Sequence, residues 1–240
     1  MVAFNSSERT TVFDFSLLLN GPHHDLLVRG LTLSVVLMGI TLALSLPLAL
    51  LIALLRLSPI AALRGIAWTY VESIRNVPLL AHMLFWYFGA PELLPESTRE
   101  WLYAQNFEAI AAVFALTLYT SAYMAEDMRS GIRAIPRVQF EAGRALGFGF
   151  LATMRLVVLP QAFRVTVPPL VSQTLNLWKN TSIATVIGVA ELMYQAAKVE
   201  TTTFRSFEPF VFATAAYLTL SLLITGLGVW YQRSYPVRAV

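Results

Sequence analysis

Polar side chains recur within an otherwise apolar stretch near residue 180, and they offer ammonium, amide and hydroxyl groups that could hydrogen-bond a polar solute. Ser172, Asn176 and the pair Lys179–Asn180 follow one another every three to four residues, and Thr181 and Ser182 come next. This spacing places the groups on one face of a helix. A lysine at the centre of a bilayer costs about 2.5–3.5 kcal/mol on insertion scales, so such groups usually face a cavity or one another.

Lys179 also has a simpler interpretation. It lies 19 residues beyond Pro160, which is about 28 Å along a helix at 1.5 Å per residue. That distance brings it close to the far side of a membrane, where a lysine can extend its ammonium group to the interface. The sequence alone leaves both roles open, a solute contact and an interfacial anchor.

Catalytic chemistry has little support in this sequence. It has no HExxH or GxSxG motif and no metal-spaced cluster of histidine and aspartate. The phosphate-binding run GxxxxGK[ST] is missing, and no Gly-Lys pair occurs at all, so ATP would have to be handled by another chain. The absence of cysteine excludes disulfides and thiolate metal sites. His23 and His24 lack a third ligand nearby, so no metal site is expected there.

The composition is that of one domain embedded in lipid. Of the 240 residues, 57% are hydrophobic and 13% are charged, whereas a soluble domain is about a quarter charged. The net charge of +3 is modest, and a nucleic-acid binder would cluster its basic residues on a soluble face. The first 25 residues lack the basic region and cleavage site of a signal peptide, so we expect the first apolar run to be retained as a span.

The elements that position the polar face are predicted to be five membrane-spanning helices, each needing roughly 20 mainly apolar residues. The predicted spans are 30–55, about 68–90, about 108–128, a region within 157–190, and 209–232. The fourth region is interrupted by Arg164, by Pro168-Pro169 and by Lys179, and it is long enough for one span and a further half-helix. The predicted fold class is therefore an all-α integral membrane protein.

The distribution of basic residues predicts the orientation. Connections on alternate sides of five spans hold eleven lysines and arginines on one side and five on the other. The side with eleven should be cytoplasmic, which places the N-terminus outside and the C-terminus inside. Six of the eleven lie between residues 129 and 164, the largest predicted cytoplasmic feature.

Residues 137–149 of this cytoplasmic segment, RVQFEAGRALGFG, have the pattern of a short amphipathic helix. Val138, Ala142, Ala145 and Leu146 are spaced as one helical face. Ala142 and Gly143 would let another protein approach the backbone closely. The alternative is a plain connection between two spans, which the arginines hold inside.

The residues that follow this helix predict where it ends and where the next span begins. Gly147 and Gly149 supply the tolerance of positive φ that a helix end requires. Pro160 suits the first turn of the following helix.

Two pairs of oppositely charged residues lie elsewhere in the chain. Glu72 with Arg75 and Glu126 with Arg129 are each three residues apart, and both are interpreted as local charge pairs. Pro47 and Pro78 are expected to kink or end helices.

The same segment carries a spaced motif. Glu141-Ala142-Gly143 is followed after three residues by Gly147, and after nine more by Val157-Val158-Leu159-Pro160. This resembles the signature Glu-Ala-Ala, three residues, Gly, nine residues, Ile-x-Leu-Pro of permease subunits in binding-protein-dependent ABC importers. The departures are Gly143 for the second alanine and Val157 for isoleucine.

The resemblance extends over residues 25–235 and is closest to the polar amino-acid branch of that family. The stretches that carry it include LLVRGLTLSV (26–35), YVESIRNVPLLAHMLFWYFGAPELLP (70–95) and LPQAFRVTVPPLVSQTLNLWKNTSIATVIGVAELM (159–193). It implies a type I importer fold: an extracytoplasmic segment over 1–25, one transmembrane domain over 26–235 with a coupling helix at about 137–149, and a cytoplasmic tail over 236–240. His82 stands where the branch usually has glutamine.

Roles for individual residues and partners also follow from the resemblance. The ATPase-coupling residues would be Glu141, Ala142, Gly143, Gly147, Leu159 and Pro160. Ser172, Asn176, Lys179, Asn180, Thr181 and Ser182 would face the translocation path. Implied partners are two cytoplasmic ATPases, a second permease (a copy or a homologue) and an extracytoplasmic binding protein in a bacterial inner membrane. ATP and magnesium would be bound by the ATPases, and this chain would bind no cofactor.

The resemblance also bears on the substrate. Members for basic or neutral amino acids often have Lys-Asp-Ser/Thr where this chain has Lys179-Asn180-Thr181. The loss of the carboxylate favours an acidic substrate, and FRSFEPFVFATAAYL (204–218) resembles the glutamate/aspartate subset. Another polar or basic amino acid remains an alternative. A secondary transporter is less favoured because no internal repeat is visible, and a membrane enzyme is disfavoured by the missing motifs.

Overall fold

The computed structural model of the chain describes residues 15–236, and throughout this range the regular structure is helical. The α-helices are α1 (Ser16–Leu19), α2 (Pro22–Leu57), α3 (Ala61–Arg75), α4 (Leu79–Leu84), α5 (Glu96–Tyr103), α6 (Phe107–Arg133), α7 (Arg137–Ala145), α8 (Phe150–Thr153), α9 (Leu159–Asn180), α10 (Leu192–Thr203) and α11 (Phe207–Ser234). Two π-turns cover Phe85–Gly89 and Met154–Val158, and two 3₁₀ segments cover Ala90–Leu93 and Thr181–Ile187. Of the predicted 1–25 and 236–240 segments, residues 1–14 and 237–240 lie outside the described part.

Four stretches of the described chain are long and apolar enough to cross a membrane. They are α2 with 36 residues, α6 with 27, the continuous helical run Phe150–Ile187 with 38, and α11 with 28. These correspond to the predicted first, third, fourth and fifth spans. Helix α2 begins at Pro22, earlier than predicted, and continues through Pro47.

The second predicted span, 68–90, is not one continuous helix. Helix α3 ends at Arg75 and α4 begins at Leu79, with Pro78 between them in an extended conformation at φ −58° and ψ 141°. Proline has no N–H for the helical ladder and disfavours helical geometry in the residue before it. The span is therefore built from two helical pieces, and the second continues into the π-turn.

The core is organised around the pairing of α2 with α6, the largest helix–helix contact in the described chain. On α2, the buried residues Thr41, Ser45, Ala49 and Ala53 recur every four positions. The buried face of α6 is likewise rich in alanine. Small residues let helix backbones approach closely in a membrane, where packing replaces the hydrophobic driving force. Helix α6 also packs against α9, and α2 also contacts α10.

Candidate functional site

Helix α7 ends in a tight glycine turn. Gly147 has φ +78°, a left-handed conformation that favours glycine. The N–H of Phe148 donates to the carbonyl of Gly143 at 3.0 Å, and the N–H of Gly147 donates to the carbonyl of Arg144 at 2.9 Å. Gly149 differs, because its φ of −68° is ordinary and it precedes α8. The expectation of a positive φ is confirmed for Gly147 and wrong for Gly149.

Gly143 faces its own chain. It is buried, and a Cβ atom at this position would lie 2.6 Å from Cγ2 and 2.7 Å from Oγ1 of Thr153. The small residue therefore lets α7 pack on α8. It is not open to another protein, as the sequence had suggested for Ala142 and Gly143 together; Ala142 alone is exposed.

A neighbouring face of α7 is uncovered and apolar. Val138 and Leu146 are 54% and 72% exposed, and Ala142 and Ala145 are exposed between them. These are the four residues predicted to share one face, and Glu141 is exposed beside them. We call this surface, formed by Val138, Ala142, Ala145 and Leu146, the α7 face.

Helix α7 is firmly attached to the spanning helix behind it. Phe140 packs against a buried cluster that includes Val158 and Ala162. The side-chain amide of Gln161 donates to the side-chain oxygen of Gln139 at 3.2 Å. These contacts connect α7 to the run 150–187.

Leu159 and Pro160 are both exposed at the beginning of α9. Pro160 occupies the first turn of α9, as predicted. It follows the π-turn Met154–Val158, in which the N–H of Leu159 bonds to the carbonyl of Met154. A π-turn widens the helix by one residue, and this allows a ring without an N–H to stand within a continuous helix.

A polar cavity of about 420 Å³ lies between α6 and α9. Its lining residues are Tyr119, Thr120, Tyr123, Gln173, Asn176, Leu177, Lys179 and Asn180. Three of the six predicted pathway residues, Asn176, Lys179 and Asn180, thus border one cavity. Lys179 is the one formally charged residue among the eight.

The other three predicted pathway residues do not line this cavity. The hydroxyl of Ser172 donates to the carbonyl of Pro168 at 3.3 Å. Thr181 is fully buried and donates to the carbonyl of Trp178 at 2.8 Å. Ser182 donates to the carbonyl of Lys179 at 2.7 Å. Each hydroxyl is used by the backbone of its own helical run.

The α6 wall of the cavity was not predicted. Tyr119 donates to the hydroxyl of Tyr123 at 3.3 Å, and the guanidinium carbon of Arg75 lies 5.0 Å from the centre of the Tyr123 ring. The amide of Gln173 donates to a carboxylate oxygen of Asp127 at 3.0 Å. The four-residue spacing of the two tyrosines was the available signal, but only the folded chain shows that it faces α9.

One of the two predicted charge pairs is present. Glu126 forms an ion pair with Arg129 and a second with Arg56 of α2, at 3.2 Å. Glu72 does not pair with Arg75; its carboxylate accepts a hydrogen bond from the side-chain amide of Asn76 at 3.2 Å. The guanidinium of Arg75 lies instead over the Tyr123 ring.

Comparisons with known proteins agree on the family. Residues 45–235 match the family described as "Binding-protein-dependent transport system inner membrane component". The chain is 38% identical to the probable glutamine ABC transporter permease protein GlnM of Bacillus subtilis, over 92% of this chain and 94% of that protein. It is 37% identical to the glutamate/aspartate import permease protein GltJ of Escherichia coli K12, over 71% of each chain.

A solved structure extends the agreement to three dimensions. The fold matches a crystal structure of an amino acid ABC transporter with histidines, with a TM-score of 0.81, 31% identity, and coverage of 92% of this chain and 99% of that chain. These matches confirm the type I permease fold and the amino-acid branch that the sequence resemblance implied. The chain belongs to the binding-protein-dependent transport system inner membrane components, which are the non-catalytic permease subunits of ABC importers and work with an ATPase and a substrate-binding protein.

Proposed function

We propose that this chain is the membrane-spanning subunit of an ATP-driven importer for an acidic amino acid, glutamate or aspartate. The observation that carries the proposal is the composition of the cavity between α6 and α9. Its eight lining residues offer one ammonium group, from Lys179, together with amide and hydroxyl groups, and none of the eight is a carboxylate.

The charge of the cavity suits an anionic solute. Glutamate and aspartate carry one more negative than positive charge at neutral pH, since both carboxyl groups are ionised. The Lys179 ammonium would compensate that excess, and the amides of Asn176 and Asn180 could hydrogen-bond the carboxylates. A cationic amino acid would instead meet an unpaired like charge. One of the matched relatives carries glutamate/aspartate in its name, which supports this substrate class.

The α7 face would be the docking surface for the ATPase. It is apolar and uncovered in the chain, and α7 is attached to the run 150–187 through Phe140, Gln139 and Gly143. Closure of two ATPases around ATP would thus move a spanning helix that borders the cavity. ATP and magnesium would be bound entirely by the ATPases.

The assembly and orientation follow from the same reasoning. A second permease, either a copy or a homologue, would complete the pathway, and a binding protein would deliver the substrate from outside. The excess of basic residues on one side supports an orientation in which the C-terminus would lie in the cytoplasm of a bacterial cell and the N-terminus outside its inner membrane.

Reconstitution of the complete importer in vesicles tests the proposal. Glutamate or aspartate should stimulate ATP hydrolysis and be taken up at lower concentrations than glutamine or arginine. A preference for arginine would show that the substrate assignment is wrong. Equal uptake without the ATPase partner would contradict an ATP-driven mechanism and favour a secondary transporter.

A further inference from the structure

A fully buried carboxylate lies where four helical segments meet. Glu191 has no exposed surface and directly precedes α10. It accepts hydrogen bonds from the hydroxyls of Ser34 on α2 at 3.1 Å and Tyr217 on α11 at 3.0 Å, and from the N–H of Tyr194 at 2.9 Å. The hydroxyl of Thr185, in the 3₁₀ segment, is its fourth donor.

This arrangement explains how the chain tolerates a buried acid whose hydrogen-bond partners include no cation. Burying a carboxylate is costly unless its oxygens are hydrogen-bonded. Here four donors surround a group that, when ionised, only accepts. Glu191 also caps α10, where the exposed N–H groups and the helix dipole favour negative charge. The number of donors fixes the carboxylate in one position and fixes its partners with it.

Two of those partners are connected to the chain on either side of Lys179 and Asn180, which line the polar cavity. Thr185 belongs to the segment Thr181–Ile187, which directly continues the chain from Lys179 and Asn180. Tyr217 holds Trp178, which directly precedes Lys179, because the Tyr217 carbonyl accepts a hydrogen bond from Nε1 of Trp178 at 3.1 Å. The lysine and asparagine thus lie between two points that are connected to the same carboxylate.

We propose that Glu191 is a positioning residue for substrate transport, which acts through Thr185 to hold Lys179 and Asn180 at the wall of the cavity. The inference rests on the proposed function of that cavity. It assigns no substrate contact to Glu191, because the side chain is enclosed by protein. Its effect is to keep the 3₁₀ segment docked on α2, α10 and α11.

Two variants that each remove one hydrogen bond from the same carboxylate form a matched test. Thr185→Val frees the 3₁₀ segment, whereas Tyr217→Phe keeps the ring, and its backbone carbonyl still binds Trp178. Each variant removes one hydrogen bond to the same buried carboxylate, so both should lower the Tm of the purified importer by a similar amount. Only Thr185→Val should disturb the cavity wall.

A reporter cysteine gives a readout that needs no assumption about substrate. The chain contains no native cysteine, so Asn180→Cys introduces the one thiol that a maleimide can label in this subunit. We expect its labelling rate to change roughly fivefold with Thr185→Val, which corresponds to about 1 kcal/mol, and less than twofold with Tyr217→Phe. Equal labelling rates in the two backgrounds, at equal loss of Tm, would overturn the proposal.

Transport by the assembled importer without the reporter provides the second readout. Thr185→Val should raise the KM for glutamate uptake while leaving the maximal rate nearly unchanged, and Thr185→Ser should restore the original KM. If Thr185→Val does not assemble, Glu191→Gln is the substitute variant, because its side-chain amide has a single acceptor oxygen. An unchanged labelling rate of the reporter thiol in Glu191→Gln would overturn the proposal. Failure of the substrate assignment is distinguishable, since it would appear as missing glutamate and aspartate uptake with the unsubstituted chain.

Discussion

Nε2 of His82 lies 3.1 Å from the carbonyl oxygen of Ile74, and this is the carbonyl that Pro78 leaves without its helical partner. In an uninterrupted helix the N–H of residue 78 would bond to it, but proline has none. A carbonyl can only accept, so Nε2 must carry the proton. The imidazole thus bridges the break between α3 and α4.

Replacing His82 should therefore weaken the broken span. We expect His82→Ala to lower the free energy of unfolding by about 1–2 kcal/mol, because the partly buried carbonyl loses its donor. His82→Gln should stay close to the unsubstituted chain, since a side-chain amide also donates, which fits the glutamine that this branch usually carries. Thermal unfolding in detergent measures both, and equal losses in the two variants would argue against a hydrogen-bonding role.

The α7 face makes a prediction about coupling. Glu141 is exposed beside this face, so Glu141→Lys should leave the fold intact and reverse the charge presented to the ATPase. We expect ATP hydrolysis to continue while substrate uptake falls about tenfold or more, a loss of about 1.4 kcal/mol or more in coupling. Vesicles that report both rates provide the measurement, and Glu100→Lys, an exposed acid on α5, is the matched control. Uptake that stays normal in Glu141→Lys would contradict ATPase docking at α7.

Gly143 and Thr153 predict a compensating pair. The family signature has alanine where this chain has Gly143, yet a Cβ there would lie within 2.7 Å of two Thr153 side-chain atoms. Gly143→Ala should cost about 1–3 kcal/mol of stability, as overpacking usually does. Thr153→Ala removes both of those atoms, so the double variant should be less destabilised than the sum of the two single ones. Strictly additive losses would show that the two residues do not compete for space.

A second glycine comparison separates backbone strain from packing. Gly147 and Gly149 both have open space where a Cβ would stand, but only Gly147 has positive φ. Gly147→Ala should therefore destabilise the end of α7 by about 1 kcal/mol, and Gly149→Ala should be nearly neutral. Thermal unfolding of the two variants compares them directly, and equal values would mean that the left-handed turn is not strained by alanine.

Local pattern made much of this architecture predictable. Long, mainly apolar runs located four spans, and the spacing from Glu141 to Pro160 located α7 because helix ends and prolines act locally. What the sequence could not show depends on tertiary packing. It could not show that Gly143 packs against Thr153 of the same chain. Nor could it show that α6 supplies Tyr119 and Tyr123 to the cavity. Glu191 resembles an ordinary polar residue until the hydroxyls of Ser34, Thr185 and Tyr217 are seen around it.

The cavity itself yields the most direct test of substrate charge. Asn180→Asp is nearly isosteric and places a carboxylate beside Lys179, which would neutralise the ammonium group and repel an anionic solute. At an effective dielectric constant of about 20, one such charge is worth at least about 1 kcal/mol over cavity distances. We expect the apparent affinity for glutamate to fall about tenfold, with assembly of the importer unchanged. Glutamine, which has the same shape without the extra charge, is the control substrate and should be affected much less. Unchanged glutamate uptake by this variant would remove the cavity from the transport path of an acidic amino acid.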